Sequence, residues 1–419
     1  MSGCQLLSVS EKNAYEHVRY IADQIGPRIF GTAPEKKTAK YVLSKFEEYG
    51  VNARIETFGV TGFVPKGTKL EIVKPMQREI NCVPLMYSDV TPPDGIVGQL
   101  ACVNVETDAK LRHKDIANKI VLVRAPPDHL LTYRETADKV AKHGAAGIIF
   151  FSREGSATSF SLNPNETSRV PSISISSEDG QNLLMHLAAE REVIVKLQVT
   201  AAKDKVESCN IIGGIKGTTL PQQKIVLSAH QDSVINSPGA NDDASGVAAV
   251  LELARIMAEK KPKRTIAFIV FGAEEPYPYY FGSWSYVQKH KDELTNIISV
   301  LNFDMIGVGA KIDNRPCLKT TAVCQGKNLK TAGWLENYIL QKGKELGYEF
   351  HPLEALGYSD QVPFLFNNVP AVQFRWMDDP WYHSSDDKSI NVDPKKISTM
   401  ALVAGTTAWK LANAPKLPG

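Results

Sequence analysis

The run KIVLSAH at residues 224–230 is followed by RTIAFIVFGAEE (264–275), IISVLNFDMIG (297–307) and VPAVQFRW (369–376), and together these four stretches decide the fold. Each is apolar and rich in β-branched or aromatic residues, and each ends in polar ones. Between the first two, apolar residues recur at helical spacing from Ala244 to Lys260. Strands apolar on both faces, alternating with amphipathic helices, predict an α/β fold: a mostly parallel mixed sheet flanked by helices. In such sheets ligands bind beyond the carboxyl ends of the strands, so the residues closing each run carry the chemistry.

The first strand closes on His230-Gln231-Asp232, which suits a metal ligand with its orienting partner and equally an ordinary capping role. The segment PGANDDASG (238–246) sets Asn241, Asp242 and Asp243 at the mouth of a helix. There one acid can cap free amides. Consecutive acids so close after HQD make a carboxylate shared by two metals credible. Glu274 and Glu275 are adjacent acids at a buried strand end, where desolvation and mutual repulsion are costly without a cation. One can bind a metal while the other acts as base. Asp304 closes ISVLNF and is followed by apolar Met305, so it is expected inside, with a partner. His383, in WYHSSDD (381–387), precedes acids that could orient its other nitrogen. Of nine histidines, only His230 and His383 fall at acid-rich strand ends; the other seven read as surface or core residues. Two histidines with several carboxylates match zinc better than magnesium or calcium, and two metals sharing one aspartate are the economical arrangement.

Working outward, Glu11 to Tyr49 reads as helix, loop, helix, broken by GPRIFGTAPE (26–35). Residues 53–87 alternate like strands, and the turn TPPDG (91–95) is a plausible boundary. Short β-rich runs then extend to about residue 205 around one helix, which predicts an inserted domain at 90–205 within a catalytic domain of 1–89 and 206–419. The chain has 419 residues, with 48 basic and 46 acidic side chains nearly cancelling and no clustered basic stripe, so nucleic acid is not an expected partner. No segment reaches the ~18 apolar residues of a membrane span. The polar start MSGCQLLSVSEKNAYEHV lacks a secretory apolar run, from which a cytoplasmic protein is expected. Six cysteines lack CxxC spacing, and only Cys317 and Cys324 are close enough to bridge a loop, which a cytosolic setting opposes.

The ordered set HQDS, ANDDASG, EE, NFDMIG, YSDQVPF and YHSSDD resembles the dizinc aminopeptidase and glutamate carboxypeptidase family, the twenty-eighth of the metallopeptidases. The resemblance spans nearly the whole chain. GPRIFGT is similar to that family's opening segment, and HGAAGIIF with VPSISIS looks like a protease-associated domain. The resemblance implies a zinc exopeptidase fold and two zincs per chain. It gives one zinc to His230 and Asp304, the other to Glu275 and His383, and Asp242 to both. Glu274 would be the general base, Asp232 the partner of His230, and metal-activated water the attacking group on the terminal peptide bond. Peptides would be the substrates, cleaved most readily from the amino end. A carboxypeptidase or dipeptidase is the nearest alternative, with Arg375 a candidate to hold a carboxylate. A metal-free receptor or scaffold, and a cyclase of amino-terminal glutamine, are further alternatives; the full ligand set opposes the first and the insert the second. Two departures lie near the substrate: Ser359-Asp360-Gln361 where SDH is frequent, and PYPYYF (276–281) between EE and Gly282-Ser283. Tyr358 is a candidate oxyanion donor, with packing as its plainer role.

Overall fold

In the computed structural model, residues 7–103, 113–125, 130–163, 170–189, 191–276, 279–309, 316–353 and 358–418 are described. Two eight-stranded sheets organise the chain. In the first, Leu220–His230 pairs in parallel with Arg264–Phe271 on one side and Ile297–Phe303 on the other, and Ala371–Arg375 continues the parallel set. Antiparallel neighbours flank this centre: Lys205–Ile215 and then Asn52–Thr61 on one side, Cys317–Lys319 on the other. This is the expected mostly parallel mixed sheet. Its four parallel strands all release the chain at one edge.

Helices cover both faces because both faces of the central strands are apolar. Ser245–Met257 is almost wholly buried, packed against Glu11–Arg19, Ala33–Glu48 and Pro394–Asn413. Phe281–Lys289 and Gln361–Phe366 cover the opposite face through Phe271, Tyr286 and Phe364. The helix expected over 244–260 is shorter, since Lys260 lies beyond Met257 and an irregular turn, Ala240–Ala244, precedes it. GPRIFGTAPE breaks the helix as expected at its glycines. Its Ala33-Pro34-Glu35, however, begins the next helix, because proline fits the first turn, where its missing N–H is not needed.

The second sheet runs Arg78–Ile80, Val64–Lys74, Ile194–Ala202, Ile96–Val103, Ile120–Arg124, Gly147–Phe151, Ser172–Ile175, Cys82–Pro84. The strands at 64–84 therefore belong to this sheet, ahead of the boundary expected at 89–90. The switch falls at Gly62, whose N–H donates to Asp204 O at 2.9 Å. A β-carbon there would lie 2.7 Å from Val206, so only glycine lets the entering and leaving strands approach this closely. The alternation at 53–87 is real; which sheet each half joins is not a local property. Cys317 and Cys324 remain thiols and form no disulfide. Among the described residues no helix is long and apolar enough to cross a membrane.

Candidate metal centre

His230, Asp242, Glu274, Glu275, Asp304 and His383 converge at the edge where the parallel strands end, each at most 7% exposed. His230 is the last residue of its strand; Glu274 and Glu275 follow Phe271, and Asp304 follows Phe303. Tight backbone turns bring them inward: Ala273, Met305 and His383 all have positive φ, 52°, 60° and 58°. Non-glycine residues rarely adopt this conformation, and such outliers concentrate at functional sites.

Asp242 stands at the centre. Its Oδ1 is 3.2 Å from His230 Nε2, and its Oδ2 is 3.3 Å from His383 Nε2. His383 Nε2 is also 3.1 Å from Glu275 Oε2. Ligand atoms of His230, Asp242 and Glu275 lie within 4.8 Å of one another, as do those of His230, Glu274 and Asp304. The adjacent acids have separate tasks. Asp243 accepts from Gly246 N at 2.9 Å and from His230 N at 3.2 Å, so it caps the helix and ties it to the strand end. Asp242, with no such cap to make, faces the histidines.

Each histidine's Nδ1 lies against a backbone carbonyl: His230 against Asp232 O at 3.2 Å, His383 against Ser159 O at 2.9 Å. A carbonyl only accepts, so Nδ1 carries a proton, and Nε2 faces the carboxylates. Between Nε2 and those carboxylates a positive charge is required, a proton or a metal ion. Buried Glu275 Oε1 has no hydrogen-bond donor among the described residues, which adds to the same demand. The electrostatics agree. Burial opposes charge on His383, yet Glu275 and Asp242 push its pKa up to about 10. Burial, with repulsion from Asp242, pushes Glu275 up to about 7, and burial with Asp304, Asp360 and Glu275 pushes Glu274 well above the carboxylate range. Burial opposes ionisation of Asp242, but the two histidines hold it far below its ordinary value. A buried imidazole and carboxylate set of this kind fits zinc.

One of the expected orienting roles is shared and the other falls elsewhere. The Asp232 carboxylate stands beside His230, 3.7 Å from its Nδ1, and also accepts the N–H groups of Glu274 (3.1 Å) and Glu275 (3.2 Å), fixing the acid pair. The acids after His383 do not reach its ring: Asp387 accepts Asn241 N (2.7 Å) and Asp242 N (3.1 Å), and Asp386 accepts Ser156 Oγ (2.6 Å). Tyr358 lies with Trp284, Phe281 and Val362 around a cavity of about 520 Å³. Tyr382 is a second tyrosine at the centre, its ring stacked on His383 with centroids 3.7 Å apart. Its burial, with Asp242 beside it, holds the phenol protonated far above its usual range.

Several supporting residues escape a reading by motif. Arg28, fully buried in GPRIFGT, donates to Gln231 O (2.7 Å), Gly26 O (3.2 Å), Gly239 O (3.0 Å) and Pro238 O, fastening the HQD turn to the PGANDD turn. Gln373 donates to Asp304 Oδ2 at 2.8 Å and so sets that carboxylate. Asp360 is fully buried and feels the charge of His230, which the unusual SDQ signalled only as a departure; burial pushes its pKa up to about 8.

The comparisons agree with this geometry. Residues 210–408 match the model of peptidase family M28, and residues 83–183 match the PA domain. Aminopeptidase YwaD of Bacillus subtilis is 28% identical over 98% of this chain and 87% of its own. Carboxypeptidase Q of Bos taurus is 25% identical over 96% of this chain and 86% of its own. The solved structure of BSAP, a zinc aminopeptidase from Bacillus subtilis, superposes with a TM-score of 0.80 at 24% identity, covering 98% of both chains. Two sheets, a zinc-type donor cage at the strand ends and both domain matches lead to one statement: residues 210–408 belong to peptidase family M28 and residues 83–183 to the PA domain, within a zinc exopeptidase.

Proposed function

We propose that this exopeptidase is a dizinc aminopeptidase that releases the amino-terminal residue of peptides, with His230 and Asp304 on one zinc, Glu275 and His383 on the other, and Asp242 between them. The observation that carries this reading is Asp242, whose two oxygens face different histidines at 3.2 and 3.3 Å. Zinc, when bound, acidifies water and withdraws charge from a carbonyl oxygen. The chain's own residues supply the rest. Glu274, its amide held by the Asp232 carboxylate, is a base whose buried, acid-rich setting favours keeping a proton once taken. It takes that proton from the attacking water and passes it to the departing amine. The Tyr382 hydroxyl, kept protonated, is a donor for the developing oxyanion. Its relative YwaD, by name an aminopeptidase, supports the amino-terminal direction.

One observation favours cleavage from the other end. Lys319 lies opposite Gln373 in the sheet and Arg375 is two residues further, so all three share the face that carries Asp304's partner. Burial and Arg375 push Lys319 down to about 7, while Asp304 raises half-buried Arg375 further. A guanidinium beside a lysine that titrates near neutrality suits a substrate carboxylate, and the carboxypeptidase Q relatives are consistent with that. Hydrolysis of one peptide with free ends, amino-acetylated, or carboxy-amidated separates the readings. Loss of turnover on acetylation alone supports the aminopeptidase, and loss on amidation alone overturns it. Zinc content measured beside turnover in Glu274→Gln tests the base.

A further inference from the structure

His383 belongs to the catalytic domain, but the groups that hold its Nδ1 side do not. The strap at residues 156–162, part of the inserted domain, lies along the loop that carries it. Ser159 O accepts from His383 Nδ1 at 2.9 Å, and Ser159 N donates to His383 O at 3.0 Å. Thr158 forms an antiparallel bridge with Ser384. Ser156 Oγ donates to Asp386 at 2.6 Å, and the Phe160 ring packs on His383 with centroids 5.0 Å apart. The other edge of the strap is fastened into the insert. Met86 N donates to Phe160 O and Leu162 N to Met86 O, both at 2.8 Å, and Tyr133 stacks on Phe160 at 4.2 Å. Beneath it, one hydrophobic cluster joins Phe30, Ile235 and Ala273 of the catalytic domain to Phe63, Tyr87 and Phe150 of the insert.

We infer that the inserted domain is a structural part of the metal centre: the strap, through Ser159 and Phe160, positions His383, so that zinc at the His383 site and docking of the insert reinforce each other. The inference rests on the zinc assignment above. A carbonyl on Nδ1 sets the tautomer that leaves Nε2 free to bind, and an aromatic wall stops the ring from turning away. His230 needs neither from the insert, since its carbonyl partner is its own Asp232. The clamp therefore acts on one zinc and not on both. Phe160 and Ser159 are positioning residues, since they act through His383 alone.

The test reads metal and exchange rather than turnover. In the wild type, hydrogen exchange at residues 156–162 is followed with zinc removed by chelator and with zinc restored; slower exchange on restoring zinc is expected, and equal exchange overturns the coupling. Phe160→Ala is titrated with a chromophoric zinc chelator beside Phe160→Leu and Ser156→Ala. The expected result is one zinc weakened about 10- to 100-fold in Phe160→Ala, partial recovery in Phe160→Leu, and the other zinc unchanged. Both zincs held as in the wild type overturns it. Should Phe160→Ala not fold, Ser156→Ala and the wild-type exchange decide alone. Coupling without peptide cleavage would sink the proposed activity and leave this inference standing, and cleavage without coupling would do the reverse.

Discussion

His230 and His383 present the same atom to the same aspartate, yet they are held in opposite ways. His230 ends a central strand, and its ring leans on a carbonyl two residues away. His383 sits on a loop in a left-handed backbone conformation, and its ring leans on a carbonyl 224 residues away in sequence. One ligand is set by local chain geometry and the other by docking of a second domain. A buried third histidine shows how far the surroundings decide. His17, between the hydroxyls of Tyr41 (2.6 Å) and Tyr49 (3.2 Å), has no carboxylate in contact, and burial pushes it down to about 4, where the acid cage pushes His383 up.

The largest expected effect falls on what the two ligands share. Glu274→Gln should lower kcat by about 10²- to 10⁴-fold while zinc content stays at the wild-type value. A mutant that also loses metal would show that Glu274 is a ligand, not only a base. On the strand side, Arg28→Met should strand the buried carbonyls of Gln231, Pro238 and Gly239 and lower stability by about 3 kcal/mol, read from urea unfolding of the zinc-free protein. An unchanged midpoint would mean that the two turns keep their positions without it.

His17 sharpens the contrast by pH. Its folded pKa, about 4, lies below the unfolded value of 6.5, so the unfolded chain takes up the proton first as pH falls. Its contribution is complete above pH 6.5, declines between 6.5 and 4, and is gone below; the shift corresponds to about 3 kcal/mol. The stability difference between wild type and His17→Gln should shrink over that window, and a constant difference would refute the assignment. Smallest is Asp232→Asn, which keeps the carbonyl that orients His230 but replaces one of the two oxygens that accept the Glu274 and Glu275 amides. Activity should fall about 10- to 100-fold, more in kcat than in KM. A selective loss of the zinc on His230 would instead make the carboxylate the true support of that ring.

The strand-end residues were legible because burial and periodicity are local. An apolar run closing on His230, on Glu274-Glu275 or on Asp304 announces a polar group at a sheet edge, and the two-sided strands announce helices on both faces. That one of the consecutive acids would cap a helix was equally readable; which of them does so was not. What stayed out of reach was partnership. Nothing near Asp360 or Gln373 signals the acid or histidine it will meet, and Arg28 reads as a loop residue until the two turns that it joins are seen together. The strands at 64–84 carry the same alternation as the one before them and still join another sheet.

The sequence by itself determined the class of sheet, the donor types and the edge at which they gather, because side-chain chemistry and hydrophobic period are properties of short stretches. The family resemblance already put Asp242 between the metals; only the tertiary structure decided what Asp243 does beside it, that Asp232 also fixes the glutamate pair, and that His383 leans on the inserted domain. Those outcomes turn on backbone carbonyls and amides, which every residue carries alike and which acquire identity only from where the fold places them.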